Sequence, residues 1–249
     1  MAQLFEQNIK GKKIIITGGS TGIGRETAML LCSLGADCLI CGREVKPLEE
    51  TVSAIENNGS AGKCIPVVCD LSEEAEVELL FEKADQEFDG LDVLINNAAL
   101  AYGSITEGNY DDWVYVLKTN LIGSLSPTHH AIKRMEKNKS GHIINIGSMS
   151  AETKEEGSSV YVATKSGLRG FSEALRKEVN KLGIKVSLLE PGAVDTDMQE
   201  APREEKLAKI DRCEMLKAED IALSIAFCLA QAKRTDIVAM QVRPHLQEI

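Results

Sequence analysis

Short apolar runs alternate along this chain with longer segments in which apolar residues recur every three or four positions. The short runs are Lys12–Thr17, Asp37–Cys41, Lys63–Cys69, Asp92–Ile95, His142–Ile146, Lys185–Leu189 and Asp236–Val242. Most are continuously apolar, the mark of strands buried on both faces and so of a parallel sheet covered by helices. The longer segments are Gly22–Leu34, Glu44–Asn58, Ser72–Phe88, Tyr110–Lys137, Ser159–Leu182 and Ala218–Ala230. Gly35, Gly59 and Gly183 follow three of them, where helices commonly end. The alternation predicts one α/β domain over residues 1–249, a doubly wound, seven-stranded parallel sheet with helices on both faces. One charged stretch, Asp195–Cys213, carries Pro202 and interrupts the pattern. It reads either as a solvated surface excursion or as a lid over the strand ends.

Composition narrows the function. Of 249 residues, 43% are hydrophobic and 27% charged, which is ordinary for a globular chain. The net charge of -10 disfavours a nucleic-acid partner. The apolar stretch Ile221–Ala230 is half of what a bilayer crossing needs, so no membrane partner is expected. Met1–Lys10 has no apolar core of a secretory signal. The seven cysteines have no framework spacing, which suits free thiols in a reducing compartment and a cytoplasmic location.

Candidate chemistry starts where the first strand meets the first helix, in Thr17-Gly18-Gly19-Ser20-Thr21-Gly22-Ile23-Gly24. Glycines let backbone N–H groups approach a ligand, and a helix N-terminus suits a pyrophosphate. The stretch lacks the Gly-Lys-Ser/Thr ending of a nucleoside-triphosphate loop. Tyr161 and Lys165 lie one helical turn apart on one face. No other tyrosine has a basic residue at that offset: Tyr102, Tyr110 and Tyr115 are followed there by Thr106, Val114 and Thr119. A cation beside a phenol favours the phenolate, so the pair is expected to lower the Tyr161 pKa and make it a proton carrier. Ser148 ends the fifth strand, where α/β ligands bind. It is outside any G-x-S-x-G motif and is not read as a nucleophile. Asn96-Asn97-Ala98-Ala99 ends the fourth strand, and Asn120 falls inside a predicted helix, against its propensity.

In this order and spacing these motifs resemble the short-chain dehydrogenase/reductase family over nearly the whole chain. The resemblance implies a Rossmann-type fold and hydride transfer between a nicotinamide and a carbonyl or secondary alcohol. It implies Tyr161 as general acid/base and Lys165 as its pKa-lowering partner and a holder of the nicotinamide ribose. Ser148 would polarise the carbonyl, and Asn120 would hold a relay water. Cofactor contacts implied are Gly18, Ser20, Thr21, Gly22, Ile23 and Gly24 at the pyrophosphate, and Asp70 and Leu71 at the adenine. Asn96 and Ala98 would flank the adenosine ribose, while Pro191, Gly192, Val194 and Thr196 would lie along the nicotinamide. Asn120, Tyr161 and Lys165 also belong to that set. The subgroup it looks most like is the carbonyl reductases and 3-hydroxy-acid dehydrogenases. A 3-oxoacyl-carrier-protein reductase and a non-catalytic dinucleotide-binding redox sensor remain alternatives. Homodimers or homotetramers are the family's common assemblies.

Arg43, after the second strand, matches the family position that takes the 2′-phosphate of NADP(H), so that cofactor is favoured and NAD(H) left open. Ala99 replaces the family's glycine. Cys38 and Cys41 are three apart on a strand and point to opposite faces, so they form no metal or redox pair. His129-His130 lacks companion ligands, and no metal is expected. The run Glu152–Glu156 is read as an acidic rim to the substrate mouth that disfavours anions unless Lys154 turns inward.

Overall fold

The computed structural model describes residues 2–199 and 201–247. Met1, Glu200 and the last two positions of the expected domain lie outside them, as does the Glu200 portion of the candidate lid. Seven strands form one parallel sheet: β1 (Lys13–Thr17), β2 (Asp37–Gly42), β3 (Cys64–Val68), β4 (Val93–Asn96), β5 (Gly141–Ile146), β6 (Ile184–Pro191) and β7 (Ala239–Val242). Their order is β3-β2-β1-β4-β5-β6-β7, and every pairing is parallel.

The unbroken apolar runs have a simple cause. Successive strand residues point to opposite faces, and both faces are covered. Ile14, Ile16, Cys38 and Ile40 pack against α2 (Gly22–Ser33), α3 (Val45–Asn57) and α10 (Ala218–Leu229). Ile15, Leu39 and Cys41 face the other layer, built from α4 (Glu74–Glu87), α6 (Gly123–Asn138) and α8 (Ser159–Val179). Cys38 and Cys41 thus lie in different layers, as the spacing requires. The seven cysteines are unpaired.

Several elements differ from the sequence pattern. The segment Tyr110–Lys137 is two helices, α5 (Tyr110–Leu117) and α6, joined by a π-helical stretch, Lys118–Ile122. The last strand begins only at Ala239; before it, the Ile237 and Val238 carbonyls accept hydrogen bonds from Ser187 Oγ and Leu188 N without forming a ladder. Three further helices lie outside the predicted set: α1 (Ala2–Ile9), α7 (Ser150–Thr153) and α9 (Arg203–Asp211), the last inside the candidate lid. Among the described residues no helix is long and apolar enough to cross a membrane.

Candidate active site

The chain reverses its order of strands beside β1, whose neighbours are β2 and β4. Ligand crevices form at such a switch point, at the carboxyl ends of the strands. A cleft of about 470 Å³ opens there.

One wall is the turn from β1 into α2. Gly18 and Gly22 take φ of +64° and +52°, values that side chains with a Cβ resist. A Cβ on Gly24 would come within 2.1 Å of the Gly18 carbonyl oxygen, so this glycine lets the helix close onto the turn. The α2 N-cap, Thr21, makes no side-chain capping bond. The first N–H groups of a helix lack intrahelical partners. This end of α2 therefore offers donors and a positive dipole end to the cleft.

Thr17 and Asn97 clamp the turn to β4. Asn97 Nδ2 donates to the Thr17 and Gly18 carbonyls at 3.0 Å each. Thr17 Oγ1 accepts from Asn97 N at 3.0 Å and Ala98 N at 3.1 Å. Asn96, expected at the ribose, is turned away and does not line the cleft. Its Nδ2 is buried against Thr128 Oγ1 at 2.9 Å and Asn145 Oδ1 at 2.8 Å. Strand alternation separates the two neighbours: Asn97, not Asn96, is the cleft residue. Ala99 lines the cleft without the left-handed backbone that would demand glycine.

The opposite wall carries Ser148, after β5, and Tyr161 and Lys165, in the first two turns of α8. Lys165 is 3% exposed, and its Nζ donates to the Ile146 carbonyl at 2.8 Å. The ammonium lies 5.7 Å from the centre of the Tyr161 ring. Burial brings its pKa down to about 8. The expected lowering of the phenol is not what the structure gives. Burial pushes Tyr161 above its ordinary value, the Ser148 hydrogen bond pulls the other way, and the charge of Glu155 adds to the rise. Desolvation of the buried phenol is the largest influence on it.

Asn120 sits at the centre of the π-helical stretch, 1% exposed and outside the cleft lining. Its Oδ1 accepts from Leu100 N at 2.7 Å and its Nδ2 donates to the Leu100 carbonyl at 2.8 Å. A longer contact of 3.3 Å reaches Thr164 on α8. The side chain pins the cleft residue Leu100.

Gly24, packed behind the turn, is outside the lining, whereas Ser20, Thr21, Ile23, Arg43, Asp70, Leu71, Ala98, Pro191, Gly192, Val194 and Thr196 meet in the cleft. Arg43 Nη1 donates to Tyr115 Oη, which donates to Asp70 Oδ2. Asp70 is held below the ordinary carboxylate value: burial raises it, and bonds from Ser72 and Tyr115 together with the Arg43 charge outweigh that. Thr196 to Gln199, at the start of the candidate lid, also line the cleft. A Cβ on Gly22 would meet Thr196 Cγ2 at 3.0 Å, so this segment rests on the glycine turn. Lys206 on α9 anchors it through the Thr196 carbonyl at 2.7 Å and Asp195 at 3.4 Å.

Sequence reasoning missed Asn97's clamp, Tyr115 and Gln247. Gln247 lines the cleft, and its Oε1 accepts from Ala193 N at 3.1 Å. Nothing in the local pattern marks Gln247, since its place depends on the path of the chain after β7. Among the described residues no cluster of three metal-binding side chains forms. His130 instead stacks on Phe81 and meets Glu74 at 3.3 Å.

This geometry has close counterparts. Residues 12–207 match the family model of short chain dehydrogenases. An uncharacterized oxidoreductase of Staphylococcus aureus is 33% identical over 236 residues, 94% of this chain and 97% of its own. A metagenomic short-chain oxidoreductase solved with NADP superposes with a TM-score of 0.83 at 27% identity, covering 96% of this chain and 100% of that one. A short chain dehydrogenase of Burkholderia cenocepacia, also solved with NADP, gives 0.83 at 27%, covering 95% and 98%. The chain belongs to the short-chain dehydrogenase/reductase family. It is a dehydrogenase/reductase enzyme, of a family that works with nicotinamide cofactors.

Proposed function

We propose that the protein is an NADP(H)-dependent oxidoreductase that interconverts a carbonyl and a secondary alcohol, with Tyr161 as general acid/base. The observation that carries this is the convergence of Ser148, Tyr161 and Lys165 on a cleft whose facing wall is the uncapped N-terminus of α2.

The cleft fits a dinucleotide. Its glycine turn leaves no room for a Cβ, its helix N-terminus suits a diphosphate, and Thr119 Oγ1 in its lining is buried without a partner. Among the described residues the Lys165 ammonium donates to the Ile146 carbonyl, which leaves protons for ribose hydroxyls. When bound, the nicotinamide supplies or takes the hydride. The protein's own part is to hold and protonate. Ser148 donates to the substrate oxygen, and Tyr161 delivers the proton that turns the oxygen into a hydroxyl. An un-ionised phenol, the form of tyrosine at neutral pH, is the proton donor the reducing direction uses. Lys165 keeps its charge near Tyr161 below about pH 8.

NADP(H) is favoured over NAD(H) by Arg43, which lines the cleft while the adjacent Glu44 does not, and by the NADP found in two related structures. Residues 195–213 are read as the substrate lid. Leu117 and Ile122 are 40% and 49% exposed around the π-helical stretch, and we place a homodimer or homotetramer interface there. Seven free thiols suit the cytoplasm.

Simple ketones and an acetoacetyl thioester run with NADPH and NADH, and 3-hydroxy acids run with NADP⁺ and NAD⁺, test the reading. Oxidation of NADPH by ketones supports it. Turnover confined to the thioester moves the assignment to a carrier-protein reductase, and no turnover with intact NADPH binding favours a redox sensor.

A further inference from the structure

We propose that the substrate carries a positive charge on the arm beyond its carbonyl, an amine or quaternary ammonium, and that Glu155 selects it. The inference rests on the carbonyl-reducing reading of the same cleft.

Charge is unevenly distributed along the cleft. Two cations line it, and neither is free for a substrate. Arg43 belongs to the β2 end with Asp70 and Tyr115, and Lys165 is buried behind Tyr161. Tyr102, Met149 and Met198 also line the cleft, and its acidic groups are Asp70, Glu155 and Asp197; of these, Glu155 is the one whose charge acts on Tyr161.

The acidic run between Ser148 and Tyr161 is not equivalent along its length. Glu152 is neutralised by Arg169, whose Nε also lies 3.4 Å from the buried Glu190. Glu156 is outside the cleft lining. Lys154 takes a left-handed turn, φ +55°, and its Nζ donates to the Glu152 carbonyl at 3.1 Å. It therefore does not turn inward to neutralise its neighbour. Glu155 is held by the Thr153 hydroxyl and has no ion pair among the described residues.

This carboxylate stays ionised. Burial raises its pKa, but bonds from the Thr153 and Ser150 hydroxyls outweigh that, leaving it below the ordinary value. Its field reaches the reacting centre, since it is one of the groups that raise Tyr161. A fixed anion at the mouth attracts a cation and repels a carboxylate. The Tyr102 ring offers a quaternary ammonium a second favourable surface. On this ground a 3-hydroxy acid, whose carboxylate would meet Glu155, is the wrong substrate class.

Three methyl ketones with the same three-methylene arm, ending in trimethylammonium, tert-butyl or carboxylate, test the proposal. Their dissociation constants are measured by calorimetry on the NADP⁺-loaded protein, wild type and Glu155→Gln. The cation is expected to bind about tenfold tighter than the carboxylate in the wild type, with the neutral ketone between. In Glu155→Gln the ratio of cation to carboxylate affinity falls below about threefold, and in Glu155→Lys it reverses. Equal or tighter binding of the carboxylate to wild type overturns the proposal. So does an unchanged ratio in Glu155→Gln, or no binding of any probe. Turnover is read separately: the predicted binding order without NADPH oxidation would remove the hydride-transfer reading and leave the charge selectivity standing.

Discussion

The guanidinium of Arg43 donates to the hydroxyl of Tyr115 at 2.8 Å, across from β2 to α5. Tyr115 passes the restraint on to Asp70 at 2.9 Å. An exposed arginine is ordinarily mobile, and fixing it in advance lowers the entropy lost when it meets a phosphate. Arg43→Ala should therefore cost about tenfold to a hundredfold in kcat/KM with NADPH and little with NADH. Tyr115→Phe keeps the charge and loses the restraint, so a smaller rise in KM for NADPH, about twofold to fivefold, is expected. Parallel kinetics with the two cofactors check both; equal losses with NADH would remove Arg43 from the 2′-phosphate role.

His142 makes stability depend on mild acid. It lies at the start of β5, 9% exposed, with Nε2 2.8 Å from Ser187 Oγ. The Ser187 proton goes to the Ile237 carbonyl at 2.5 Å, so Nε2 is the donor to Ser187. Burial, with the charges of Lys185 and Lys12, lowers the histidine from 6.5 to about 3. Between those values the unfolded chain binds the extra proton and the folded chain does not. Stability attributable to this group is thus complete above about pH 6.5 and is lost as pH falls toward 3. Going from pH 7 to pH 5 should cost the wild type about 2 kcal/mol more than His142→Gln, measured by urea unfolding. Parallel pH dependence in the two proteins would contradict this.

Arg169 links the substrate mouth to the core through Glu152 outside and Glu190 inside, the latter 1% exposed. Arg169→Met leaves Glu190 buried with only a long 3.5 Å contact from Gln241. A loss of about 2–4 kcal/mol in denaturant unfolding is expected, and Arg169→Met with Glu190→Gln should recover most of it. No recovery in the double variant would show that Arg169 acts through packing alone.

Much of this was readable from the chain. Ile14-Ile15-Ile16 has no polar face, and a strand with none must be covered on both sides, which yields the parallel sheet and its helical layers. The glycine turn and the Tyr161–Lys165 spacing mark both walls of the cleft, because each depends on a few neighbouring residues. Which of Asn96 and Asn97 enters the cleft depends on where β4 ends and which way its last residue faces. The π-helical stretch around Asn120 shifts that side chain onto Leu100, and no local signal announces it. Proximity of Lys165 to Tyr161 was legible; the Ile146 carbonyl that accepts the ammonium's hydrogen bond comes from β5. The distinction between Glu152 and Glu155 likewise depends on Arg169, more than a dozen residues away.

The central claim is that the Tyr161 hydroxyl carries the proton of a hydride-transfer reaction. Its most direct test is Tyr161→Phe, with ketone-dependent NADPH oxidation and NADPH affinity measured on the same preparation. Turnover should fall by about a hundredfold to ten-thousandfold, with the NADPH dissociation constant within about threefold of wild type. Retained turnover in the phenylalanine variant would contradict the account.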